Sequence, residues 1–359
     1  MKQILIIILC CSFYFIHCSL LMDDDDYFGP IEYESFLASI SIDGKNDQKI
    51  MSYAISGYAT GADMYWLIDK ESFLLRRDDL YIYNLNGEVI KVIQKPANII
   101  DIDVSPDGSY AVMACTGDIA ELYLLDIVSL EIKKITDSPE MVERYPRFSQ
   151  DGQKIVYATA AGKSGKDPLA LKLYYMVTDS SYTLKLRDEK NKHFIPFAVP
   201  CFGKHDEIVY FINNFDSVLT YAGTSKLYSL NLKSGHVTLI DENAAWAADM
   251  KYAPIGDRLV YLTSEPFWGI RVYDATANRF YELGDKIQNE CRAIGPNPIL
   301  NINREGSIVV AGTDYCSDTN IYSITIQNAE YFKIVLGTSP ELSRDGKTIL
   351  YVKTQPRKY

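Results

Sequence analysis

Between Ile99 and Ile135 apolar and polar positions alternate in short runs separated by turn residues. Ile100, Ile102 and Val104 lead into Ser105-Pro106-Asp107-Gly108, and the segment Tyr110 to Cys115 follows. Two further segments, Glu121 to Asp126 and Glu131 to Ile135, come after short breaks. A period of two bounded by Asp, Gly, Pro and Ser predicts an antiparallel meander of four strands. One such meander cannot cover both of its faces. Copies stacked around an axis can.

The copies are present. Turns of the same kind recur at Asp107-Gly108, Asp151-Gly152, Ile255-Gly256, Glu305-Gly306 and Asp345-Gly346. Degenerate versions stand at Phe202-Gly203-Lys204-His205 and at Asp69-Lys70-Glu71-Ser72. From Gly108 onward successive turns lie 40 to 53 residues apart, the period of propeller blades with four strands each. The third strand has its own signature, an apolar residue followed by Tyr: Leu80-Tyr81, Leu122-Tyr123, Leu173-Tyr174, Leu227-Tyr228 and Ile321-Tyr322. The expected class is therefore all-β, a β-propeller of four-stranded antiparallel blades.

Neither end holds a whole blade. Phe36 to Ile42, a turn at Asp43-Gly44-Lys45 and Lys49 to Ile55 form one hairpin, and the last turn, at Gly346, is followed by a single strand, Thr348 to Lys353. Unpaired edges are avoided in natural sheets, so pairing the terminal hairpins completes a blade and closes the ring. Seven blades result, or six if the weak unit from Asp63 to Arg76 is a loop.

Charge and targeting add context. The 359 residues carry a formal charge of -11 and include 27 Tyr, which suit pleated, half-buried surfaces. An acidic surface repels phosphate backbones, so nucleic acid is not an expected partner. Met1-Lys2-Gln3 followed by the apolar run Ile4 to Ile16 reads as a signal peptide over residues 1–19, being too short to span a bilayer. Lipidation at Cys18 and an uncleaved signal are the alternatives. Residues 20–34, with Asp23 to Asp26, read as an acidic tether, and residues 35–355 as a single propeller domain. No Asn-x-Ser/Thr acceptor occurs, which fits a bacterial exported protein. The expected location is periplasmic or cell-surface.

The unit with Ser105-Pro106-Asp107-Gly108, an apolar strand, an apolar-Tyr strand and Lys134-Ile135-Thr136 resembles the TolB-type (WD40-like, PD40) propeller repeat of bacterial envelope proteins. Ser149-Gln150-Asp151-Gly152 and Ser343-Arg344-Asp345-Gly346-Lys347 carry the same resemblance, which extends from about residue 62 onward. It implies the fold. Function varies among such repeats, which serve as scaffolds, peptidase propeller domains and lyases.

No pattern in the chain calls for a metal or a cofactor. His193, His205 and His236 occupy different strand positions, so spacing does not bring them to one ion. No Gly-x-Ser-x-Gly elbow occurs, and Ala161-Gly162-Lys163-Ser164 lacks the leading glycine of a phosphate loop. Asp101 and Asp103 are the polar face of a strand, and Asp107 is a turn residue.

In a four-stranded meander the connection entering the first strand and the one between the second and third strands share a face, the usual binding face of a propeller. Glu143, Arg144, Trp246, Asp249, Phe267, Trp268 and Arg292 are expected there as exposed binding candidates. Phe267-Trp268, a loop aromatic pair after Pro266, is the most suggestive of contact. Cys291 and Cys316 fall in two such connections of one blade and form a candidate disulfide. Cys115 and Cys201 fall on strands and read as buried thiols. The leading functional expectation is a non-enzymatic scaffold that binds an envelope protein or a small ligand. The rival is a propeller lyase or hydrolase acting on carbohydrate or peptide at the channel mouth.

Overall fold

The structure, a computed structural model, describes residues 33–52, 64–67, 71–117, 119–161, 170–186, 200–213, 225–244, 250–263, 269–283, 299–313, 320–343 and 345–356. The chain divides into two units, Ser35–Thr354 and Met1–Glu34 with Gln355–Tyr359. The blade cores lie in the first.

Each blade is an antiparallel meander. Blade 1 comprises Met64–Trp66, Ser72–Arg76, Leu80–Asn84 and Val89–Ile93. Blade 2 comprises Asn98–Val104, Tyr110–Thr116, Ala120–Asp126 and Ile132–Lys134. Blade 3 comprises Met141–Phe148, Lys154–Ala161, Ala170–Tyr175 and Ser180–Thr183. Blade 4 (Cys201–Phe202, Ile208–Asn213, Ser225–Asn231, Val237–Ala244) and blade 5 (Lys251–Ala253, Arg258–Thr263, Gly269–Asp274, Arg279–Glu282) are joined into one eight-stranded sheet by the single pair Ala244 and Thr263. Blade 6 runs Ile299–Ile302, Ile308–Thr313, Asn320–Thr325 and Glu330–Leu336. Blade 7 is the composite one: Thr338–Leu342 and Thr348–Pro356 from the end of the chain pair onward with Tyr33–Ser41 and Gln48–Ser52 from its start. Adjacent first strands touch all the way round, blade 7 meeting blade 1. The ring has seven blades, and the segment from Met64 to Arg76 supplies the first two strands of one and is not a loop.

Burial follows from stacking. Seven apolar clusters occupy the seven seams, one between each pair of neighbours; Val260, Leu262, Ile270 and Val272 of blade 5, for example, pack on Val309, Ala311 and Ile324 of blade 6. A second strand is covered on both faces, so Ala111 to Cys115 is buried without a break. Outer strands are covered on one face or neither, and Val89 to Val92 are exposed.

The recurrent turn explains its own residues. Ser105 Oγ donates to Asp107 Oδ1 at 2.6 Å and accepts the Tyr110 N–H at 2.9 Å, while Gly108 sits at φ +73° and its N–H reaches Ser105 O at 2.7 Å. Ser149-Asp151-Gly152 and Ser343-Asp345-Gly346 repeat the arrangement, and Asn303 replaces the serine in blade 6 by accepting the Ser307 and Ile308 N–H groups. Glycine is required because the fourth position is left-handed. In blade 5 that conformation moves to Asp257, and in blade 4 to His205 and Asp206.

Candidate functional site

The first strands pack side by side around the centre of the ring, and near the turns at their ends lies a cavity of about 160 Å³. Five blades contribute to its wall: Asp103 from blade 2, Arg147 and Gln150 from blade 3, Phe202 from blade 4, Lys251 from blade 5 and Asn301 from blade 6, among others. Asp103, Arg147, Lys251 and Asn301 stand on first strands close to their turns, and Gln150 lies in the turn of blade 3.

Much of this wall also fastens blade to blade. Arg147 Nη1 lies 2.9 Å from Asp101 Oδ2, and the Phe148 N–H donates to Asp103 Oδ2 at 2.8 Å, tying blade 3 to blade 2. The Gln150 and Asp151 N–H groups donate to Asp206 of blade 4 at 2.6 and 3.0 Å. Lys204 of blade 4 pairs with Asp257 of blade 5 at 3.1 Å, and Arg258 of blade 5 donates to Gly306 O of blade 6 at 2.6 Å. Asn301 Nδ2 reaches Pro340 O at 2.7 Å, Trp66 Nε1 reaches Glu341 O at 3.2 Å and Tyr65 Oη reaches Ile102 O at 2.9 Å. Every seam thus carries a hydrogen bond or ion pair from a side chain.

Along this belt of seam contacts burial competes with hydrogen bonding. Burial pushes the Asp206 carboxyl up even though two backbone N–H groups favour its ionised form. Burial also acts on Asp257, but hydrogen bonds from Tyr252, Thr276 and Lys204 outweigh it and hold that carboxyl below its ordinary range. The Tyr252 hydroxyl, buried and donating to Asp257 at 2.7 Å, is pushed well up. The cavity itself has a mixed lining, with Asp103, Arg147, Gln150, Lys251 and Asn301 beside Phe148, Phe202, Met250 and Ile302. Among the described residues no group of three or more His, Cys, Asp or Glu could hold a metal ion.

Of the expected binding residues, Glu143 and Arg144 are described, both on the first strand of blade 3. Glu143 corrects the expectation of exposure: it is 0% exposed. The first strand is clamped between two neighbouring blades, so Val142 and Glu143 are both buried and alternation breaks down there. Arg144 is half-buried. Trp246, Asp249, Phe267, Trp268, Arg292, the pair Cys291 and Cys316, and Cys18 lie outside the described residues. Cys115 is a buried free thiol, and Cys201 is buried. The cavity residues Asp103, Arg147, Lys251 and Asn301 were not expected as a group; their common signal is a polar residue just before each turn.

Three solved structures place the architecture. An oligogalacturonate lyase in complex with manganese shares 16% identity over 81% of this chain and 88% of its own, with a TM-score of 0.57. The oligogalacturonate lyase of Vibrio parahaemolyticus shares 13% over 90% and 96%, with a TM-score of 0.62. The common property is the propeller fold. A putative TolB from Agrobacterium tumefaciens has it too, at 14% identity over 91% of this chain and 100% of its own, with a TM-score of 0.51. No protein-family model matches the chain, and no curated protein does.

Proposed function

We propose that this propeller is an exported binding scaffold of the bacterial cell envelope, engaging its partner on the face opposite the Asp-Gly turns. The observation that supports the reading is the contrast between the two ends of the ring. At the turn end the first and second strands are joined by short, internally hydrogen-bonded turns. At the other end residues 53–63, 184–200 and 283–298 join one blade to the next, and residues 162–169 and 214–224 join second to third strands. Long connections on a rigid scaffold are where recognition is carried. Phe267 and Trp268 belong to the connection between Thr263 and Gly269, and an aromatic pair suits a protein contact.

The test is affinity capture from native envelope fractions with three baits. The wild type recovers a defined partner, F267A/W268A loses it, and the turn-end control K233E keeps it. Equal recovery by all three, or none by the wild type, overturns the reading. Fractionation and the mass of the mature N-terminus test export, cleavage and the Cys18 lipid. A lyase reading is supported by the two oligogalacturonate lyase structures that share the fold; unsaturated product from oligogalacturonate with manganese would favour it over the scaffold.

A further inference from the structure

Glu143 belongs to the seam between blades 2 and 3. Its Oε2 accepts a hydrogen bond from Thr136 Oγ1 at 3.1 Å, and Thr136 Oγ1 accepts the Leu122 N–H at 2.8 Å. One acid thereby fastens the third strand of blade 2, the connection leaving blade 2 and the first strand of blade 3. The other oxygen, Oε1, is buried and makes no hydrogen bond. Thr159 Oγ1 is in the same condition, on the residue directly paired with Glu143 in the sheet.

We propose that this seam is a proton-sensitive clasp: Glu143 is a neutral carboxylic acid while the two blades are joined, and its ionisation loosens the seam at the loop face. A carboxylate with one oxygen left out of any hydrogen bond is costly in a fully buried site. The protonated acid has an O–H to give to Thr159 Oγ1, directly or through a buried water, and it still accepts from Thr136. The groups around it act in both directions. Burial pushes the Glu143 carboxyl up. The Thr136 hydrogen bond, the nearby Ser138 hydroxyl and the charge of Lys172, on the third strand of blade 3, oppose this; Glu121, on the third strand of blade 2, reinforces it. Glu121 is itself held by Lys134 at 2.6 Å. Tyr157, on the second strand of blade 3, feels the Glu143 charge, and burial pushes its hydroxyl up to about 12, so it stays neutral in the range concerned.

The sign follows by linkage. Below the ordinary carboxylate range both folded and unfolded chains carry the proton. As pH rises through that range the unfolded chain ionises first, so the contribution of Glu143 to stability falls until the folded site ionises too. The test is the urea midpoint of the full chain between about pH 4 and pH 8 for the wild type, E143Q and T136V. The wild-type midpoint falls relative to that of E143Q as pH rises. In T136V, which lacks a donor to the ionised form, the fall extends to higher pH. Hydrogen exchange at the Leu122 amide, corrected for its chemical rate, accelerates with pH in the wild type and stays level in E143Q. A difference between wild type and E143Q that is flat or grows with pH overturns the clasp. If E143Q does not fold, a flat Leu122 exchange profile in the wild type does the same.

Discussion

The belt around the turn end makes a quantitative demand on Asp206. Its side chain is buried, and its two oxygens receive the Gln150 and Asp151 N–H groups from the next blade. Hydrogen bonds to a charged group are worth about 1.5–3 kcal/mol each, so the pair sets an upper range of about 3–6 kcal/mol. Two facts lower it. The Asp151 side chain is 47% exposed, so water can reach that neighbourhood, and burial pushes Asp206 up, so the ionised form gains less than a surface carboxylate would. Asp206 also sits at φ +55°, where alanine adds about 1 kcal/mol of backbone strain. D206A should therefore cost about 3–5 kcal/mol, and D206N, which keeps one acceptor and tolerates the left-handed backbone, about half of that. Urea unfolding at neutral pH reads both, and hydrogen exchange at Gln150 and Asp151 localises the loss. A D206A cost below about 1 kcal/mol, or an asparagine as damaging as alanine, would refute the reasoning.

Three other outcomes follow from the same packing. Asp241 is buried beneath Tyr261 (hydroxyl at 2.5 Å) and Arg271, which also pairs with Glu282; D241A should cost about 2–3 kcal/mol in urea unfolding, since it leaves the buried Tyr261 hydroxyl without its acceptor and Arg271 with one carboxylate in place of two. Gly87 and Gly235 are both left-handed, but a Cβ at Gly87 would stand 2.3 Å from Ile50 O, whereas one at Gly235 meets nothing within 4 Å. G87A should accordingly lose about 2 kcal/mol or more and G235A about 1 kcal/mol, read as thermal midpoints. Burial pushes the Cys115 thiol up to about 12, so alkylation at pH 8 should spare Cys115 in the folded chain and reach it in urea; labelling of the native protein would contradict its position.

Period-two alternation and the Asp-Gly turns made the blades legible, and the two orphan hairpins foretold the composite seventh blade. These signals are local, set by turn chemistry and pleat. The belt was not legible, because its contacts join residues in different repeats: nothing in the degenerate Phe202-Gly203-Lys204-His205 turn shows that the adjacent Asp206 serves blade 3. Glu143 was misread for a related reason. Met141-Val142-Glu143-Arg144 looks like the edge of a strand, and only the neighbouring blade decides that its acid is inside. Lys251 and Asn301 likewise acquire a common setting only when five separate strands meet at the axis.

The closing blade sets an order of events. Asp47 receives the Tyr351 hydroxyl at 2.5 Å, and also pairs with Lys353, across a separation of about 300 residues. During synthesis the first hairpin waits for a partner that emerges about 300 residues later, and until then the apolar seams that blade 7 shares with blades 1 and 6 stay open. Contacts so distant in sequence slow folding and leave sticky surface uncovered in the meantime. A nascent chain of this design cannot close its ring until the strand beginning at Thr348 has reached the first hairpin. A circular permutant joining Pro356 to Tyr33 and opened between two other blades would turn that seventh blade into a local hairpin pair and move the waiting step to a new seam.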